Sequence, residues 1–120
     1  MSANATEREI PRTDLPTAVD RYLEAHNARD ADTAVPSFTP DAVVVDDGRT
    51  HTGTEAIRAW VGRSSTEWTY TSTPTSFRRG DDTHYAVVQH VEGDFPGGTV
   101  DLTYRFTLRD GLISHLVIAP

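Results

Sequence analysis

Val100, Leu102, Tyr104, Phe106 and Leu108 alternate with Asp101, Thr103, Arg105, Thr107 and Arg109. A period of two sends the apolar set to one face of a strand and the polar set to the other, so this run has to be a long strand with one side on a core. Tyr85, Val87, Gln89 and Val91 alternate in the same way with His84, Ala86, Val88 and His90, although here both faces are partly apolar. Three turn sequences, Gly80-Asp81-Asp82, Pro96-Gly97-Gly98 and Asp110-Gly111, divide the chain from Glu67 onward into four segments of strand length. The second half is therefore predicted to be an antiparallel meander of long strands.

The first half reads differently. A polar arm over residues 1–14 precedes a single domain over residues 15–120. Asp14 stands as N-cap before Leu15-Pro16, and Leu15, Val19, Tyr22 and His26 share one face of the helix that follows. A short second helix is predicted over Asp32–Ser37, then a turn at Thr39-Pro40-Asp41. Ala42-Val43-Val44-Val45 reads as a strand ending at Asp46-Asp47-Gly48, with Arg49 to His51 pairing back. Thr54 is a candidate cap for a helix through about Gly62, with Ile57, Trp60 and Val61 on one face. Helices followed by a run of strands give an α+β architecture. The predicted shape is a cone, with helices across the concave face of a curved sheet and a pocket for a small molecule at its mouth.

Composition narrows the chemistry. The formal charge is -7 and no basic cluster exists, which argues against a nucleic-acid partner. There is no cysteine, so disulfides, thiol nucleophiles and thiolate metal sites are excluded, and all 11 basic residues are arginine, so no lysine Schiff base is available. The histidines at 26, 51, 84, 90 and 115 lack metal-binding spacing, and no metal is expected. Serine-hydrolase elbows, dinucleotide fingerprints and phosphate loops are missing, and no cofactor is expected. With no apolar stretch that could serve as a signal core or cross a bilayer, the expectation is a cytoplasmic protein with no membrane partner.

Four stretches carry a family likeness: Tyr22-Leu23-Glu24-Ala25, Phe38 through Asp46, Gly53 through Trp60, and Arg105 through Ile113. From Leu15 to Pro120 the chain resembles the nuclear transport factor 2-like superfamily, in the branch of SnoaL-like polyketide cyclases and ketosteroid isomerases. The resemblance implies a cystatin-like α+β fold with a mixed, mainly antiparallel sheet. It also implies a general-base aspartate at the end of the first strand, here Asp46, and an oxyanion-holding tyrosine on the first helix, here Tyr22. The family's protonated acid has no counterpart, since its place falls on Leu102 or Tyr104. Trp60 would supply the aromatic wall, and His26, Tyr85, Val87, Gln89, Leu102, Tyr104, Phe106 and Leu116 the rest of the pocket lining.

The chemistry can be argued from the residues themselves. A carboxylate at the end of an apolar strand is desolvated, which disfavours its charged form and makes it a base for carbon acids. Abstraction next to a carbonyl gives an enolate, and a buried tyrosine hydroxyl can donate to its oxygen. The expected partner is a small apolar carbonyl compound, to be isomerised or cyclised. Alternatives are a non-catalytic ligand-binding or dimerisation domain and, behind that, a dehydratase or epoxide hydrolase. For Asp46 the competing reading is a turn aspartate bonded to its own backbone, and for Tyr22 a core aromatic with a satisfied hydroxyl. A homodimer is expected through the outer sheet face, with His84, Val88, His90, Ile113 and Val117 contributing.

Overall fold

The structure is a computed structural model that describes residues 7–67 and 70–120, with side chains omitted over 63–67. Three helices, α1 (Thr17–Asn27), α2 (Ala31–Ala34) and α3 (Thr54–Glu67), accompany seven strands: β1 (Arg8–Glu9), β2 (Phe38–Asp46), β3 (Arg49–Thr52), β4 (Tyr70–Asp81), β5 (His84–Gly93), β6 (Thr99–Arg109) and β7 (Leu112–Ala119). The strands form one sheet in the order β1-β4-β5-β6-β7-β2-β3, antiparallel except where β2 runs parallel to β7. The curved sheet with helices on one side is the expected α+β cone.

The inward set of β6 is as the alternation requires: Tyr104, Phe106 and Leu108 are buried while Asp101, Arg105 and Arg109 are exposed. Facing them are Val19, Tyr22 and Leu23 of α1, and Ile57, Trp60 and Val61 of α3, which close one hydrophobic core with Val44, Val87, Ile113 and Leu116. Among the described residues no helix is long and apolar enough to cross a membrane.

Several boundaries differ from expectation, each for a local reason. The arm over 1–14 is not wholly free: Arg8 and Glu9 pair with Arg79 and Arg78, and residues 12–14 form a 3-10 turn. Positions 1–6 of that arm lie outside the described residues. Asp14 does not cap α1; the capping position is Pro16, whose fixed φ suits a helix entrance. The second helix begins at Ala31 because Asp30 accepts from the Thr33 amide, and it tightens to a 3-10 turn over Val35–Ser37. Thr39-Pro40-Asp41 is no turn but part of β2, where the pairing with β7 slips between Phe38 and Val43. Proline is tolerated at such an irregularity because its missing N–H removes no ladder bond there. The Gly53 carbonyl accepts from the Ile57 amide, so Thr54 is the first residue of α3, and the helix continues past Gly62.

Ile113 does not lie on the outer face as expected. Ile113 is fully buried. Ser114 is an extra residue between the pairs Leu108↔Ile113 and Thr107↔His115, and this bulge turns Ile113 inward along with Leu116. His84, Val88, His90 and Val117 do lie on the outer face.

Candidate functional site

Two neighbouring aspartates end β2, and the backbone gives them different tasks. Asp46 still pairs with Arg49 in the ladder, whereas Asp47 (φ 53°) and Gly48 (φ 75°) make the tight turn. Asp47 is the turn residue. The Asp46 carboxylate reaches the concave side instead, where Oδ2 accepts from the Trp60 indole N–H at 3.0 Å. One carboxylate oxygen is thereby anchored on α3.

Trp60 is the centre of an aromatic group. Its ring is stacked on Tyr22 at 6.4 Å, meets His26 edge-on at 4.9 Å and lies 6.0 Å from His51. Tyr22 also meets Phe38 and Phe106 edge-on, at 5.4 and 5.8 Å. Its hydroxyl is 2.8 Å from Nδ1 of His26, one helical turn along α1. Tyr22 is completely buried, and burial first, then the nearby Tyr104 and Asp46, raise its hydroxyl well above the ordinary range. Such a hydroxyl stays protonated and remains a donor.

Burial pushes His26 down to about 4, so the imidazole is neutral at physiological pH. Its Nε2 is sealed from solvent and has no hydrogen-bond partner among the described residues. A histidine that cannot charge in the fold but charges freely when unfolded makes stability pH-dependent. Between pH 6.5 and about 4 the unfolded chain binds a proton that the folded chain does not, so stability is lost as pH falls through that window. The loss should reach about 3 kcal/mol in chemical denaturation. Subtracting the profile of His26→Asn removes the contributions of other titrating groups; a difference curve flat across the window would contradict the buried neutral ring.

The other residues expected to line a pocket follow the sheet. Val87, Gln89, Tyr104, Phe106 and Leu116 are buried on the concave side, and Tyr85 and Leu102 are partly buried against the same core. The Tyr104 hydroxyl is raised by burial, with the Tyr70 and Asp46 environment adding to it and a Gln89 hydrogen bond opposing it. Tyr70, which the sequence reading passed over, belongs to this group: burial raises its hydroxyl, and the charge of Asp46 acts on it. Arg29 holds Tyr70 in place, with its guanidinium 5.7 Å from the ring centre and a 3.2 Å bond to the Tyr70 carbonyl. The signal was its parity, opposite to the exposed Thr71 and Thr73. Arg105, by contrast, is on the outer face, bonded to Glu7 at 3.0 Å.

The arrangement is thus an anchored carboxylate, three tyrosine hydroxyls within its electrostatic reach and a neutral histidine, with Tyr22 and Tyr104 buried and Asp46 and Tyr70 partly so. Comparison with known proteins gives the family and the fold. The family profile of the SnoaL-like domain matches residues 19–116. No curated protein matches the chain. Among solved structures, a candidate polyketide cyclase from Sinorhizobium meliloti is 37% identical with a TM-score of 0.84, over 92% of this chain and 100% of that one. A second candidate polyketide cyclase, from Silicibacter, is 25% identical with a TM-score of 0.74, over 85% of each chain. A protein with a ketosteroid isomerase-like fold from Catenulispora acidiphila, solved with trimethylamine, is 21% identical with a TM-score of 0.77 over 88% and 85% of the two chains. That last likeness is one of fold.

Proposed function

The chain belongs to the SnoaL-like domain family, and from that premise we propose that it binds a small apolar ketone in the cone and moves a proton next to the carbonyl, as an isomerase or cyclase. The observation that carries this reading is the Asp46 carboxylate fixed through Oδ2 by Trp60 in the same aromatic group as the buried Tyr22 hydroxyl. Oδ1 of Asp46 takes the proton from the carbon, the electron pair moves onto the carbonyl oxygen, and Tyr22 donates a hydrogen bond to the resulting enolate. Where a double bond is conjugated with the enolate, return of the proton from Asp46 to the far carbon completes an isomerisation; attack of the enolate carbon on a second carbonyl of the same molecule, with the Asp46 proton passing to the new alkoxide, completes a cyclisation.

The test is exchange of the C1 protons of β-tetralone, which lie between the aromatic ring and the carbonyl, with deuterated solvent, followed by NMR. Catalysed exchange that depends on Asp46 supports the reading. Binding of the ketone without exchange would replace it with a non-catalytic ligand-binding domain.

The same reading includes a second copy of the chain on the outer sheet face. There Val45 stands beside Val117, with Val43 two residues along β2, and Val88 lies on the far side of β6, all four partly exposed. Beside it His90 is bonded to Asp101 at 2.7 Å and Glu92 at 3.2 Å, giving a polar rim that can pair with its own two-fold copy. Sedimentation should show a dimer at micromolar concentration, and Val117→Arg should return it to monomer; a wild-type monomer would remove the idea.

A further inference from the structure

Tyr22 has one hydroxyl proton and, among the described residues, one side-chain partner, Nδ1 of His26 at 2.8 Å. That bond can be made in two ways. If Tyr22 donates to Nδ1, its proton is committed and cannot serve an enolate, and His26 carries its own proton on Nε2, where nothing accepts it. If Nδ1–H donates to the tyrosine oxygen, the Tyr22 proton is free for a ligand, and Nε2 is a bare lone pair, again with no partner. In both cases the protein leaves Nε2 unsatisfied in a sealed site, a condition that native structures rarely leave without a use.

The ring is neutral and shielded, so neither charge nor bulk water satisfies it. It stands edge-on to Trp60, the same residue that fixes Asp46. Ser37, Thr39 and Ser76 also bury unpartnered hydroxyls. Of the four residues only His26 has a ring in the aromatic group around Asp46.

We propose that His26 selects a ligand hydroxyl: as the Nδ1–H tautomer it donates to Tyr22 and turns its Nε2 lone pair toward a phenolic or enolic O–H carried on the same conjugated system as the carbonyl that Tyr22 holds. This deepens the proton-transfer reading and rests on its placing of the carbonyl at Tyr22. The ligand class is a hydroxylated aryl or enolic ketone whose hydroxyl is too far from its own carbonyl to bond it. A ligand hydroxyl that reaches Nε2 gains a bond that the free site does not make, whereas an analogue without the donor leaves that acceptor as it was, so the two are told apart by the bond gained.

Two measurements test it on the full chain. The first is the nitrogen NMR of the histidine rings, with His26 assigned by its loss in His26→Asn: Nδ1 should carry the proton and Nε2 should be bare. A ring protonated at Nε2 overturns the proposal whatever binds. The second is calorimetric titration with meta-hydroxyacetophenone, meta-methoxyacetophenone and acetophenone. The wild type should bind the hydroxyl compound at least about tenfold more tightly than the other two. In His26→Asn, whose amide can keep the Nδ1 bond to Tyr22 but has no atom at Nε2, the three should fall within about twofold of one another. Equal binding by the wild type, or a preference that survives in His26→Asn, overturns the selection by His26 while leaving proton transfer at Asp46 standing. Failure of all three ketones to bind removes the carbonyl from Tyr22 and this inference with it.

Discussion

Asp46→Asn should slow deuterium exchange into β-tetralone by roughly a hundred- to ten-thousandfold, the range that a positioned general base contributes. Asparagine is nearly the same size and its amide oxygen can still accept from the Trp60 indole, so the bond at 3.0 Å and the docking of α3 on the end of β2 are kept. What is lost is the basic oxygen. The thermal midpoint should therefore move little, and a large fall in rate with a small fall in stability is the signature to look for. Retention of exchange within about threefold would mean that another group takes the proton, and the proposed chemistry would be wrong. Trp60→Phe separates anchoring from basicity: it removes the donor and leaves the carboxylate, so a smaller loss than that of Asp46→Asn is expected if the indole only orients it.

What the sequence showed about this site, and what it hid, follows the range of the interactions. The strand patterns of β5 and β6 are local, and burial of Val87, Tyr104 and Phe106 against exposure of Asp101 and Arg105 could be read from period alone. The division of labour between Asp46 and Asp47 was also local, because Asp-Gly is the pair that tolerates positive φ in a two-residue hairpin turn. The Asp46–Trp60 bond joins residues 14 apart through the packing of α3 on β2, and no spacing rule encodes it. Tyr70 enters the site from the first residue of β4, brought there by the sheet order rather than by any motif. Ile113 was misplaced because a bulge adds one residue to one strand, and one residue reverses every facing beyond it. The third helix was expected to run through about Gly62, yet it continues to Glu67, since a glycine within a helix costs only about 1 kcal/mol, which the packing of Ile57, Trp60 and Val61 offsets. Local chemistry was legible, and convergence of distant segments was not.

Tyr22→Phe should lower the exchange rate by about a hundred- to a thousandfold, as loss of one oxyanion donor does elsewhere. The ring contacts with Phe38, Trp60 and Phe106 survive the change, so the core keeps its shape. Stability should nevertheless fall by about 1 to 3 kcal/mol, because the hydroxyl is buried and its removal leaves Nδ1 of His26 without its partner as well. The two readouts distinguish the two roles that a buried tyrosine can have. A core tyrosine would show the stability loss with an unchanged rate per folded molecule, whereas an oxyanion donor shows both. The rise in its hydroxyl adds a pH criterion: Tyr22 stays protonated beyond the ordinary tyrosine range, so the wild-type rate should carry no limb there from its ionisation. A rate unchanged in Tyr22→Phe would transfer the donor role to Tyr104 or Tyr70, the two other hydroxyls on which the charge of Asp46 acts, and Tyr104→Phe and Tyr70→Phe would then decide between them.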